Sequence, residues 1–184
     1  MSDNISIISM NVQGLGDKSK RKDMINFLKS KKFSICMLQD THFIPSEEKY
    51  IWSLWGYECF FSCHNSQSRG VATFINNTFD CKINELEQDT NGNLLIINCK
   101  INEKDITLIN LYGQNRDNPA FYQDIYESMS SYENNLFIIA GYFNMVLNQD
   151  MDSYNYVNIN NPNARDTVIN MERRSSRKTR IYMV

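Results

Sequence analysis

The sequence predicts a layered α/β (α+β) domain, and three observations carry that prediction. Short apolar, β-branched runs flank a lysine-rich segment whose apolar residues recur at helical spacing. The middle of the chain is dominated by stretches with the apolar–polar alternation of half-buried strands. A proline-initiated helical pattern and one more apolar run then follow. Strands and helices in this order imply layered packing around a common core.

Taken in order, residues 5–12 are apolar and β-branched and read as a buried strand. Met24, Phe27 and Leu28 recur between lysines, so residues 20–31 read as a surface helix. Residues 33–39 form a second apolar strand. Ser46 is expected to cap a short helix carrying Tyr50, Ile51, Leu54 and Trp55, which Gly56 ends. Residues 57–63 and 70–75 read as strands joined through the polar segment 65–69. Leu95, Ile97, Cys99 and Ile101 alternate with Ile96, Asn98 and Lys100, and a four-residue loop over 102–105 leads to a strand over 106–112. Asn118 and Pro119 start a helix whose buried face is marked by Phe121, Ile125, Met129 and Tyr132. Residues 136–140 are a further strand.

With 184 residues, no internal repeat and few prolines or glycines, the chain is read as one domain able to bury a core. Nothing resembles a leader segment or the roughly 20 apolar residues of a membrane helix, so an intracellular location, nuclear or cytoplasmic, is expected rather than secretion or a membrane. Five cysteines, an odd number scattered mostly through apolar runs, do not form a disulfide framework. Cys59, Cys63 and His64 lack a second ligand pair at zinc spacing. The net charge of −2 conceals an asymmetry. Residues 172–184 hold five basic residues and one acidic, leaving 14 basic against 20 acidic, a net −6, in residues 1–171. Duplex affinity rests largely on phosphate neutralisation, so nucleic-acid contact by such a body must be local.

Polar residues fall at telling places. Asn11, Asp40, Tyr112 and the pair Tyr142 and Asn144 each stand at or just beyond the end of a predicted apolar strand. In layered sheets such ends converge on the crevice where ligands bind.

The ordered motifs Met10-Asn11-Val12-Gln13-Gly14, Leu38-Gln39-Asp40-Thr41-His42, Arg69-Gly70-Val71-Ala72, Asn110-Leu111-Tyr112-Gly113 and Gly141-Tyr142-Phe143-Asn144 resemble the endonuclease/exonuclease/phosphatase superfamily. They look closest to the apurinic-endonuclease-like domain of non-LTR (LINE-type) retrotransposons. The resemblance implies two packed β-sheets flanked by helices, a four-layer sandwich. It also implies phosphodiester hydrolysis dependent on Mg²⁺ or Mn²⁺, with DNA as the partner and a fused reverse transcriptase in the full-length ancestor. Mg²⁺ prefers oxygen and keeps several waters, so Asp40, with Asn11 beside it, is the expected metal site. Tyr112 would direct its hydroxyl at the scissile phosphate, and Asn144 and Asn11 complete the catalytic set. His42 and His64 are read as exposed or structural, without a catalytic role.

Three departures from the family pattern stand out. Tyr142 occupies the place of the family's catalytic aspartate in Gly-Asp-Phe-Asn. A neutral phenol replaces the carboxylate that prepares the attacking water, and loss of such general-base help costs about 10²–10⁴-fold. The family's final Ser-Asp-His motif is not reached, so a partial domain over 1–171, incomplete at its C-terminus, is expected. Residues acting as one catalytic unit are non-additive, so repairing Tyr142 alone is expected to restore little. Finally, helical periodicity is lost after Glu172, and an off-pattern basic tail over 172–184 carries Arg173, Arg174, Arg177, Lys178 and Arg180. That tail reads either as a nucleic-acid-binding arm or as an out-of-frame end. Three functions stay open: an impaired DNA-nicking endonuclease, a non-catalytic nucleic-acid-binding remnant, and a phosphatase or lipid phosphodiesterase branch of the superfamily.

Overall fold

The computed structural model describes residues 5–132, 136–145, 161–175 and 181–183. Two sheets face each other. The first, in order β1-β2-β4-β3, is built from Ile7–Asn11 (β1), Ile35–Gln39 (β2), Cys59–Ser62 (β3) and Val71–Ile75 (β4). The second runs β5-β6-β7-β8-β9, from Cys81–Gln88 (β5), Leu94–Ile101 (β6), Lys104–Tyr112 (β7), Leu136–Tyr142 (β8) and Ile181–Met183 (β9).

The side-chain period of two assigns opposite faces of each strand to opposite layers. Ile35, Met37 and Val71 of the first sheet meet Leu95, Ile97, Cys99, Leu108 and Ala140 of the second in the central layer. The intervening residues Cys36, Leu38, Ala72 and Phe74 face outward, onto Ile25 and Leu28 of Lys18–Lys31 (α1) and Ile51 and Trp55 of Glu48–Trp55 (α2). On the other side Ile109, Leu111, Phe137 and Ile139 pack under Tyr122 and Ile125 of Pro119–Met129 (α3) and Ala164 and Val168 of Pro162–Ser175 (α4). The result is the four-layer sandwich the motifs imply. No helix among the described residues is long and apolar enough to cross a membrane.

Several local expectations are corrected. The buried stripe of α1 is Arg21, Ile25 and Leu28, while Phe27 points outward. Asp17 starts that helix by accepting a hydrogen bond from the Lys20 N–H at 2.8 Å. Ser46 does not cap α2. It lies inside the 3₁₀ turn Pro45–Glu47, which runs directly into the helix, and Gly56 ends the helix at φ 84° as expected. The β6–β7 loop has two residues, Asn102 and Glu103, both at positive φ, the geometry of a type I′ hairpin turn. Strand β5 was not foreseen. It is an edge strand with five charged or amide residues among its eight, so burial gives it almost no apolar alternation. Helical structure also passes the compositional break at residue 172, since α4 continues through Ser175 and Ile181–Met183 pairs in parallel with β8.

Topology aims the strand ends. β1 and β2 are parallel with Asn11 opposite Gln39, and β7 and β8 are parallel with Tyr112 opposite Tyr142. A buried polar bridge fixes one pair against the other. Gln39 Nε2 donates to Asn110 Oδ1 at 2.8 Å, and Asn110 Nδ2 reaches the Ala72 carbonyl at 2.9 Å.

Candidate functional site

Beyond the last hydrogen bond of β2 the chain turns sharply. Asp40 and His42 both adopt positive φ, at 57° and 58°. The turn is held from two sides, by Gly14 N donating to the Asp40 carbonyl at 2.7 Å and by His42 N donating to the Arg69 carbonyl at 2.8 Å. The segment before β4 matches this conformation, with Arg69 and Gly70 at φ 63° and 96°. Gly70 cannot be replaced without a collision, because a Cβ there would stand 2.5 Å from the Thr41 hydroxyl.

This scaffold presents the Asp40 carboxylate half-buried at the rim. Its Oδ1 accepts from the Arg69 backbone N–H at 3.1 Å and from His42 Nε2 at 3.0 Å. Oδ2 takes no hydrogen bond among the described residues. His42 is therefore not an exposed loop residue. Its side chain is largely covered, sits over Gly14, and is paired with the residue expected to hold metal.

Tyr112 faces the same space from the second sheet. Burial raises its pKa above the ordinary phenol value, and the charges of Asp40 and Tyr142 raise it further, while the Arg69 guanidinium opposes them. The hydroxyl is thus a protonated donor near neutral pH. Tyr142 stacks on it, with ring centroids 5.8 Å apart and planes 24° from parallel. Sequence reading quoted Arg69 within a motif but gave it no role. The structure sets it beside Tyr112 and anchors it weakly, Nη1 reaching Asn93 Oδ1 at 3.4 Å. Asn93 in turn donates to the Tyr112 carbonyl at 2.6 Å. Its place beside Tyr112 was not legible for Arg69 in the isolated sequence, because its partners are Asn93, just before β6, and Tyr112 on β7.

Asn11 and Asn144 are placed at the same rim but are already engaged. Asn11 Oδ1 accepts from the Gln13 N–H at 3.1 Å, a turn-forming bond. The Asn144 amide donates to the Gly113 carbonyl at 3.1 Å and to Asn115 Oδ1. Gly113 permits this crossing, since a Cβ there would lie 2.1 Å from the Phe143 carbonyl oxygen. Arg173 lies exposed near the end of α4, and Arg174 belongs to that helix. Arg177, Lys178 and Arg180 lie outside the described residues.

The divalent ion implied by the motifs can be tested against these donors. Among the described residues no group of three or more His, Cys, Asp or Glu stands ready to hold a metal. One half-buried carboxylate at the rim, with one oxygen uncommitted among the described residues, does suit a hard cation that keeps its waters and borrows substrate phosphate oxygens. The residues fit a weak, open site and not an all-protein cage.

No protein-family model matches the sequence. The chain is 25% identical over 147 residues to an uncharacterised 149 kDa protein of transposon TX1 from Xenopus laevis, a match covering 78% of this chain and 11% of that protein. An AP endonuclease from Archaeoglobus fulgidus superposes with a TM-score of 0.68 at 16% identity, covering 92% of this chain and 70% of the other. The endonuclease domain of TRAS1, a telomere-specific non-LTR retrotransposon, superposes with a TM-score of 0.63 at 13% identity, covering 91% and 71%. At these identities the solved structures establish the fold, and with the transposon protein they bear out the resemblance read from the five motifs.

Proposed function

We propose that this chain, built on the AP-endonuclease fold, carries a phosphodiester-binding site for nucleic acid whose metal-dependent nicking chemistry is impaired. The observation behind this reading is the convergence of Asp40, Arg69 and the protonated Tyr112 hydroxyl at one rim. A phosphate there would accept from Tyr112 and be neutralised by Arg69, both directed by the rigid strand ends that carry them. Asp40, with Asn11 beside it, would hold Mg²⁺ or Mn²⁺, which supplies charge stabilisation at the phosphate and a site for activated water. Asn144 supports Tyr112 indirectly, by tying the loop after β8 to Gly113 and Asn115. Tyr142, stacked on Tyr112, offers no carboxylate that would take a proton from such a water.

DNA is the proposed partner. A reverse transcriptase on the same polypeptide belongs to this reading through the likeness to a transposon protein of which the chain spans 11%. The basic residues Arg173, Arg174, Arg177, Lys178 and Arg180 are proposed as a second, salt-dependent contact to DNA.

The test combines metal binding with nicking. Mn²⁺ titrated into the protein and followed by its electron spin resonance should bind weakly, and Asp40→Ala should abolish that binding. Supercoiled plasmid in Mg²⁺ should stay essentially intact with the unaltered protein. Robust nicking abolished by Asp40→Ala would overturn the impairment, and Mn²⁺ binding unchanged in Asp40→Ala would remove the metal assignment.

A further inference from the structure

The aromatic pair at the rim offers a surface of its own. Tyr142 is 43% exposed, one of few large apolar side chains so open among the described residues. One face of its ring is covered by Tyr112, and the pair is offset-stacked. The support is stiff. The two residues are opposite each other in the β7–β8 register, and Gly113 N donates to the Tyr142 carbonyl at 2.7 Å. β7 and β8 also approach too closely at Gly141 to admit a side chain, since a Cβ there would lie 2.2 Å from the Leu111 carbonyl oxygen. An exposed ring fixed on a rigid strand loses little conformational freedom when something stacks on it.

We infer that Tyr142, backed by Tyr112, is a stacking platform for an unpaired nucleobase, with Arg69 and the Tyr112 hydroxyl taking the adjoining phosphate. The inference rests on the reading of this rim as a phosphodiester site and adds what that site recognises. A base inside a duplex has both faces covered, so the platform selects single-stranded nucleic acid or a base displaced from its stack. The body of the chain is acidic, and Asp40 stands beside the site. Phosphate contacts alone would therefore hold a strand poorly. Stacking needs no net positive charge and answers that difficulty. Replacing the family's aspartate by tyrosine exchanges a negative group, which repels the strand once no metal is bound, for a neutral surface that attracts a base. The site then favours holding an unpaired strand over cutting it.

The experiment uses a single-stranded oligodeoxynucleotide with one 2-aminopurine, a same-length oligomer lacking bases, and a blunt duplex, all titrated with the full chain without metal. The base-bearing strand should bind more tightly than the other two, and 2-aminopurine fluorescence should be quenched. Tyr142→Ala should weaken that binding by about 5- to 150-fold, the range expected for one lost base–aromatic stack, and abolish the quenching. Tyr142→Phe should retain both, which separates loss of stacking from loss of folding. If Tyr142→Ala binds all three ligands as the unaltered chain does, the platform is wrong. If Arg69→Ala and Tyr112→Phe still weaken binding of the base-free strand in that case, the phosphodiester site survives it. Indifference of every ligand to all these substitutions would overturn both readings.

Discussion

Asp40 sits in the left-handed region, which most residues avoid and which aspartate tolerates through local hydrogen bonds. Two donors to the same oxygen, the Arg69 N–H and the His42 imidazole, set the direction of its carboxylate. A partner that orients a ligand commonly contributes about 10–100-fold in metal affinity. His42→Ala should therefore weaken Mn²⁺ binding by about that factor, and His42→Gln, which keeps a donor, should recover part of it. Equal Mn²⁺ affinity in His42→Ala would show that the imidazole is only packing. In the proposed site Arg69 would supply charge, Tyr112 a hydroxyl held protonated by its surroundings, and Tyr142 an exposed ring.

Among the elements, α4 packs on α3, and its first turn is capped by an acidic residue from the loop before α3. Asp117 accepts from the Ala164 N–H at 2.8 Å, the Asn163 N–H at 3.2 Å and the Asn163 amide at 2.7 Å. The two backbone N–H groups are first-turn donors that the helix cannot satisfy itself. Desolvation acts to raise the Asp117 pKa, but these hydrogen bonds outweigh it and hold the carboxyl below its ordinary value. A depressed folded-state pKa means that the stabilisation is present above the ordinary carboxylate pKa and is lost as pH falls through the lowered one. Asp117→Ala should accelerate hydrogen exchange in the first turns of α4 at neutral pH, with α1 unchanged. Uniform exchange in α4 and α1 of both proteins would dismiss the cap. At the β6–β7 hairpin, Glu103 occupies a positive-φ position at 64°. Glu103→Gly should raise thermal stability by about 1 kcal/mol, by removing the cost of a side chain in that region. An unchanged or lowered melting temperature would contradict it.

At the scale of the whole molecule, the two sheets are registered by apolar packing together with a buried polar bridge. Asn110 is buried in β7 and bonded to Gln39, to the Ala72 and Leu38 carbonyls and to the Thr73 hydroxyl. Asn110→Ala would leave buried partners unmatched, at about 1–3 kcal/mol for such a group, and would also release the strand end that carries Tyr112. Urea unfolding should show the loss. A stability equal to that of the unaltered chain would mean that water or a neighbouring group replaces the amide. Buried thiols add a pH dependence. Burial pushes Cys36, Cys59 and Cys63 up to about 12 from 9.0, with Glu58 and Glu48 contributing at Cys59 and Glu48 and Glu47 at Cys63. These raised values favour the folded state fully below pH 9.0, and that advantage is lost progressively as pH rises toward 12.

Apolar period and β-branching were enough to locate most strands and helices of both sheets, because each buries one clean face. The order of the five motifs was enough to indicate the sandwich. Strand β5 escaped because an edge strand with little buried surface leaves no period to read. The continuation of α4 past residue 172 escaped because its last turn carries charge where periodicity would otherwise show. At the site, the sequence by itself determined which chemically useful residues end the strands. The tertiary structure alone decided that His42 bonds Asp40, that Arg69 joins Tyr112 through Asn93, that Asn144 is tied to the Gly113–Asn115 loop, and that Tyr142 lies flat on its neighbour. Those facts depend on register between distant strands, 71 positions apart in the Gln39–Asn110 bond, and on left-handed turns that no local pattern specifies. A residue's type fixes what its side chain can do, and the pairing of distant strands fixes what it can reach.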